Sequence, residues 1–113
     1  MQIDVQARGF SLTEALKAYV RQRVGNAFAS LEGVQRIAVR LADINGPKGG
    51  IDKRCQLQVV LAGRPDVVIK DTESDMYAAI DRSAGRAGAS VRRRLQPRWR
   101  QRQARINEYL EEN

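Results

Sequence analysis

The chain contains no histidine and a single cysteine, Cys55. The commonest general base and metal ligand is therefore missing, and with it every Ser-His or Cys-His nucleophile arrangement and any Cys/His zinc set. Acid–base chemistry would fall to carboxylates, lysines and tyrosines. Asp75 and Asp81 stand six residues apart, a spacing that does not place two carboxylates on one helix face. Asp71, Glu73 and Asp75 read as acids at the start of a helix, where they complement its dipole. The glycine-rich stretch 46–50 holds Lys48 but lacks the spacing of a phosphate-binding P-loop and precedes a strand, so it reads as a hairpin loop. Cys55 shares the alternation of Leu57 and is expected as a buried small hydrophobe. No enzymatic activity, cofactor, metal or small-molecule substrate is expected.

The chemistry that remains is that of fixed positive charge. The net charge is +7, and its distribution is uneven. Residues 1–81 carry 11 basic and 10 acidic side chains, whereas residues 82–113 carry 9 and 3, so the segments stand at +1 and +6. From Arg82 to Arg105 there are nine arginines and no acid. A field of one sign at that density attracts a polyanion. Lys17 and Arg21 lie one helical turn apart with Arg23 nearby, and Arg82, Arg86 and Arg93 follow at similar spacings. If two helices carry these residues side by side, their outward faces merge into one basic platform suited to the phosphates of structured RNA. Arg92 and Arg94 extend it. Arg98, Trp99 and Arg100 add the chain's one tryptophan between arginines, which either stacks on an exposed base or anchors the tail on the protein.

Positioning those charges requires a scaffold, and the hydrophobic periodicity supplies one. Ile3, Val5 and Ala7 alternate with polar residues as a half-buried strand does. Ser11-Leu12-Thr13-Glu14 has the form of a capping box with Ser11 as cap, and Leu12, Leu16, Tyr19, Val20, Val24, Ala27 and Leu31 recur at helical spacing up to Gly33, predicting a helix over roughly 12–31. Ile37, Val39 and Leu41, then Cys55, Leu57, Val59 and Leu61, mark two further strands joined by the loop at 45–50. Gly63-Arg64-Pro65-Asp66 is a turn, and Val67-Val68-Ile69 a short fourth strand. A second helix is predicted from Asp75, capped by the acids at 71–75. Tyr77, Ile80, Ala84, Ala87, Val91 and Leu95 form its buried stripe, and Pro97 marks its end. Gly85 and Gly88 weaken that helix and are expected to allow close approach to a neighbour.

The order is thus β-α-β-β-β-α, an α+β class. The first two strands are parallel through a crossover, the last three form an antiparallel meander, and both helices cover one face of a four-stranded mixed sheet. One domain over 1–96 and an arginine-rich tail over 97–113 account for the length. In the tail, Ile106, Tyr109 and Leu110 form a short amphipathic helix or belong to a disordered extension. The opening Met1-Gln2-Ile3-Asp4 carries an acid where a signal peptide would be basic and apolar, and no membrane segment is read, so a cytoplasmic location is expected. On the residues alone, general RNA or DNA binding and a protein-interaction module both stay open.

Three segments, Met1-Gln2-Ile3-Asp4-Val5, Leu12-Thr13-Glu14-Ala15-Leu16-Lys17-Ala18-Tyr19-Val20 and above all Asp75-Met76-Tyr77-Ala78-Ala79-Ile80-Asp81, resemble the family of ribosome hibernation-promoting factors, ribosome-associated inhibitors and sigma-54 modulation proteins over roughly residues 1–95. The resemblance implies a fold similar to double-stranded RNA-binding domains. It also implies binding to the small ribosomal subunit and its 16S rRNA between head and body, overlapping the tRNA and mRNA positions. The family's basic helix residues match Lys17, Arg23, Arg86 and Arg93, while Ala89 departs from a position that is often basic. Without a C-terminal dimerisation domain the chain resembles the short members. Some of those support ribosome pairing with a second hibernation factor, and others hold ribosomes as monomers. The sigma-factor branch of the family keeps a protein-interaction role in view.

Overall fold

Residues 1–44 and 52–95 are described by the computed structural model. They form strand β1 (Gln2–Arg8), helix α1 (Glu14–Phe28), strands β2 (Val34–Asp43), β3 (Lys53–Leu61) and β4 (Val67–Glu73), and helix α2 (Met76–Leu95). The loop at 45–51 and everything from residue 96 onward, including the tail read at 97–113, lie outside the described residues.

The sheet follows the order β1-β2-β3-β4, with β1 and β2 parallel and the other two pairs antiparallel. Its register is fixed by the two-residue period of the strands, since a slip by one residue would turn every apolar side chain to solvent. Ile3 pairs with Ile37, Val5 with Val39 and Ala7 with Leu41. Leu41, Val39 and Ile37 pair in turn with Cys55, Leu57 and Val59. All of these point toward the helices. Gly9 ends β1 with φ +87°, and a Cβ there would fall 2.9 Å from the Asp43 carbonyl at the end of β2. Glycine is therefore required on both conformational and steric grounds.

The core lies between the sheet and the helices. Leu16, Val20, Val24 and Phe28 of α1 and Ala79, Ile80, Ala84, Ala87 and Val91 of α2 are buried against the inward strand residues. Each large member contributes about 1.5–3 kcal/mol by leaving water. The helices run in the same direction, with Tyr19 beside Asp81, Arg23 beside Gly85, and Ala27 beside Gly88 and Arg92. A Cβ on Gly88 would sit 3.3 Å from the Ala27 carbonyl, which is the close approach expected of that glycine.

Several local expectations need correction. Helix α1 starts at Glu14 behind Thr13, whose hydroxyl accepts from the Leu16 amide at 3.1 Å. Ser11 is too early: Phe10 and Leu12 pack against the core ahead of the helix, and Thr13, in extended conformation, is the cap. The helix stops at Phe28, short of Leu31, whose amide instead donates to the Phe28 carbonyl while its side chain packs under the core. Strand β4 continues to Glu73, so Asp71 and Glu73 are strand residues and do not cap α2. Asp75 alone does so, accepting from the Ala78 amide at 3.2 Å. Tyr77 is not in the buried stripe: it is 42% exposed, and its ring meets that of Tyr19 edge-on at 4.7 Å.

Candidate nucleic-acid interface

The arginines of the helical layer are placed by two constraints, the apolar stripe that each helix buries and the strand acids that α2 passes over. Ser83 and Ala87 face the sheet, which sets Arg82 and Arg86 over the β4 flank. There the Asp71 carboxylate, nearly buried opposite Cys55, accepts from Arg86, and Arg82 Nε approaches the same Oδ1 at 3.4 Å. Arg82 also reaches Glu73 at 3.0 Å. Beneath them the Ser83 hydroxyl lies 3.2 Å from Asp71 Oδ2 and 3.2 Å from the Cys55 carbonyl, and can donate to either. The network joins α2 to two strands. A carboxylate enclosed this far from water needs several charged or hydrogen-bonding neighbours, and here it has them.

A second network closes the seam between the helices. The Tyr19 hydroxyl donates to Asp81 Oδ1 at 2.5 Å, Arg23 Nε lies 3.3 Å from the same oxygen, and Arg23 also donates to the Asp81 carbonyl at 3.2 Å. The Asp81 hydrogen bond, followed by burial, raises the Tyr19 phenol above its ordinary pKa. Arg92 reaches across to the Ala27 carbonyl at 3.1 Å, a neutral acceptor that leaves its charge uncancelled.

The predicted site residues therefore divide among four places. Lys17 and Arg21 share a concavity with Asp4, Arg36 and Arg40 on the β1 side. Arg23 sits in the seam, and Arg82 and Arg86 lie over β4. Arg92, Arg93 and Arg94 form the last turn of α2, where the helix dipole favours cations. The Arg94 carbonyl there accepts from Arg64 of the β3–β4 turn. Arg98, Trp99 and Arg100 lie outside the described residues.

Three arginines of the helical layer, Arg23, Arg82 and Arg86, thus face three carboxylates supplied by Asp81, Glu73 and Asp71. Helical spacing alone could not reveal those partners, because Asp71 and Glu73 reach the arginines only through the course of β4. Chemically the layer presents fixed guanidinium groups, one lysine and a tyrosine pair to solvent. No cluster of three or more His, Cys, Asp or Glu suited to a metal occurs among the described residues, and no described helix is long and apolar enough to cross a membrane. Cys55 is buried, and desolvation pushes its thiol up to about 11.

Comparison with known proteins gives this geometry a context. The family described as Sigma 54 modulation protein / S30EA ribosomal protein matches residues 3–98. No curated protein matches the chain. Among solved structures, the N-terminal domain of Thermus thermophilus Protein Y is 26% identical, with a TM-score of 0.65 over 81% of this chain and 93% of that one. A ribosomal subunit interface protein from Coxiella burnetii has a TM-score of 0.71 over 82% and 96% of the two chains; at 18% identity the likeness concerns the fold. The α+β architecture with two helices on one face of a mixed sheet is common to all three.

Proposed function

Since the chain belongs to the Sigma 54 modulation protein / S30EA ribosomal protein family, we propose that it is a ribosome-associated translation inhibitor that acts in the cytoplasm. It binds the small ribosomal subunit and its 16S rRNA between head and body, overlaps the tRNA and mRNA positions, and so holds idle ribosomes out of translation. The observation that carries this reading is the family match across residues 3–98, which spans the whole helical layer and its basic residues. The partner's phosphates supply the complementary charge, and binding requires no reaction.

Among the predicted residues, Lys17 and Arg21 on the β1 side and Arg92 and Arg94 at the end of α2 make the first phosphate contacts in this proposal, and Arg93 contributes from the same last turn. Arg23, Arg82 and Arg86 contribute after exchanging or sharing their carboxylates. Arg98, Trp99 and Arg100 extend the contact along the tail. Affinity of this kind falls steeply with salt, with a slope of roughly 0.7–0.9 per neutralised phosphate.

The test is cosedimentation with purified small and large subunits across a salt series, comparing wild type with Lys17→Glu/Arg21→Glu. Selective small-subunit binding that weakens in the variant supports the proposal, and failure to cosediment even at low salt rejects it. Equal binding to both subunits and to unrelated duplexes would favour general nucleic-acid binding, a reading that the +6 charge of residues 82–113 keeps in contention.

A further inference from the structure

The face of the sheet turned away from the helices carries a charge pattern that none of the predicted site residues includes. Its outward positions form cross-strand rows. One row runs Arg8, Ala42, Arg54, Thr72, and the next Gln6, Arg40, Gln56, Lys70. The four cations therefore alternate between rows as they cross the strands: Arg8 on β1, Arg40 on β2, Arg54 on β3, Lys70 on β4. With strands about 4.8 Å apart and same-face residues about 6.7 Å apart along a strand, successive cations in this zigzag have backbones roughly 8 Å apart. Small Ala42 leaves a concavity between them, lined by Gln6, Arg8, Arg40, Arg54 and Gln56.

All four cations are exposed, and none forms an ion pair or side-chain hydrogen bond with a described residue. Of the outward strand positions only Asp4 is acidic, one row further along, where Gln2 donates to it at 3.2 Å. Arg36, in the row beyond, adds a fifth exposed cation. The contrast with the helical layer is physical. Arg82 and Arg86 must loosen a carboxylate before they meet a phosphate, whereas Arg8, Arg40, Arg54 and Lys70 have no carboxylate among the described residues to release.

We propose that this open sheet face is a second RNA-binding surface, taking the phosphate backbone of a structured RNA segment across the zigzag of Arg8, Arg40, Arg54 and Lys70. The domain then contacts RNA on both sides, through the helices and through the sheet. Guanidinium forks match phosphate oxygens bidentately. Gln6 and Gln56 between them supply amide groups for phosphate or ribose hydroxyl contacts. Among the described residues the face has no aromatic side chain, so its strands offer no stacking platform of the kind that single-stranded bases need. Recognition is by backbone and shape. The site itself stands independently of the ribosomal reading, which only identifies the RNA it meets in the cell.

The experiment uses the full chain with Arg40→Gln/Arg54→Gln, compared with Lys17→Gln/Arg21→Gln, and an RNA duplex of about 16 base pairs as probe. Neither Arg40 nor Arg54 forms an ion pair or side-chain hydrogen bond with a described residue, so the thermal midpoint is expected to stay at the wild-type value. Duplex affinity falls at least tenfold at low salt, and the salt slope drops by about 1.4–1.8, the share of two phosphate contacts. Unchanged affinity and slope would overturn the proposal. So would a loss seen against polyglutamate and not against RNA, which would make this a protein-directed surface. Cosedimentation of the wild type with small subunits separates the two proposals. A chain that fails to cosediment yet binds the duplex through Arg40 and Arg54 keeps the sheet site and removes the ribosomal role. A chain that cosediments while the double variant binds the duplex undiminished does the reverse.

Discussion

Ser83 Oγ lies 3.2 Å from Asp71 Oδ2 beneath the paired guanidinium groups of Arg82 and Arg86, so one nearly buried carboxylate ties α2 to β4 and restrains two of the basic side chains on the helical layer. Under the proposed function, stability and nucleic-acid affinity therefore draw on the same group in opposite directions. Asp71→Asn retains the shape and removes the charge. It should lower stability by about 1–3 kcal/mol, because the charge-assisted bonds become neutral ones. The same change releases Arg82 and Arg86 toward phosphate, and duplex RNA affinity should rise severalfold. Thermal unfolding and a salt titration of the same variant check both signs.

Gly85 and Gly88 are one helical turn apart yet respond oppositely to substitution. At Gly85 a Cβ would lie 3.6 Å from the end of the Arg23 side chain, an ordinary contact with a flexible group. Gly85→Ala should therefore stabilise by up to about 1 kcal/mol through helix propensity. At Gly88 the nearest atom is the Ala27 backbone carbonyl at 3.3 Å, which moves only if α1 moves. Gly88→Val should destabilise by about 1–3 kcal/mol through overpacking. Chemical denaturation of the two variants decides the matter.

The strands were legible because their pattern is local: Ile37, Val39 and Leu41 against Arg36 and Arg40 already state which side is buried. Gly88 was legible as a point of close approach because a helix tolerates such a residue only with compensation. Asp71 and Glu73 imitate caps in the sequence, because acids shortly before a helix occupy the place of capping residues. Their place in β4 depends on pairing with Cys55 and Lys53, a nonlocal fact. The same limit hid the ion pairs of Arg82 and Arg86 from helical spacing. It also hid the zigzag on the open face, whose members come from four strands and meet only once the register is known. The end of α1 was misplaced because Leu31 keeps the helical period while packing from a turn.

Tyr19 and Asp81 offer a check on the seam between the helices. Tyr19→Phe removes the 2.5 Å bond but keeps the ring against Tyr77, so the loss should be about 1 kcal/mol, small because the site is partly solvated. In the wild type, alkaline spectrophotometric titration should show one tyrosine ionising later than the others, since the Asp81 hydrogen bond and burial raise its pKa. That late component should vanish in the variant. Persistence of the late component would assign it to another tyrosine.

Cys55 is predicted to act as a reporter of unfolding. Burial raises its thiol from 9.0 to about 11, so the folded chain holds the proton more tightly than the unfolded one. Below pH 9 both states are protonated, and the thiol adds no pH dependence. Between about 9 and 11 only the unfolded state releases the proton, so stability falls with rising pH by up to about 2 kcal/mol. Tyr19, also raised, adds to the decline above pH 10. Cys55→Ala should flatten the part of the curve that begins near pH 9 and leave the later part in place. At pH 8 the native thiol should resist a disulfide reagent and react only through unfolding, at a rate that rises with denaturant. Rapid modification of the native chain would mean that β3 opens locally to solvent, and that the core beneath Asp71 is less tightly closed than its packing indicates.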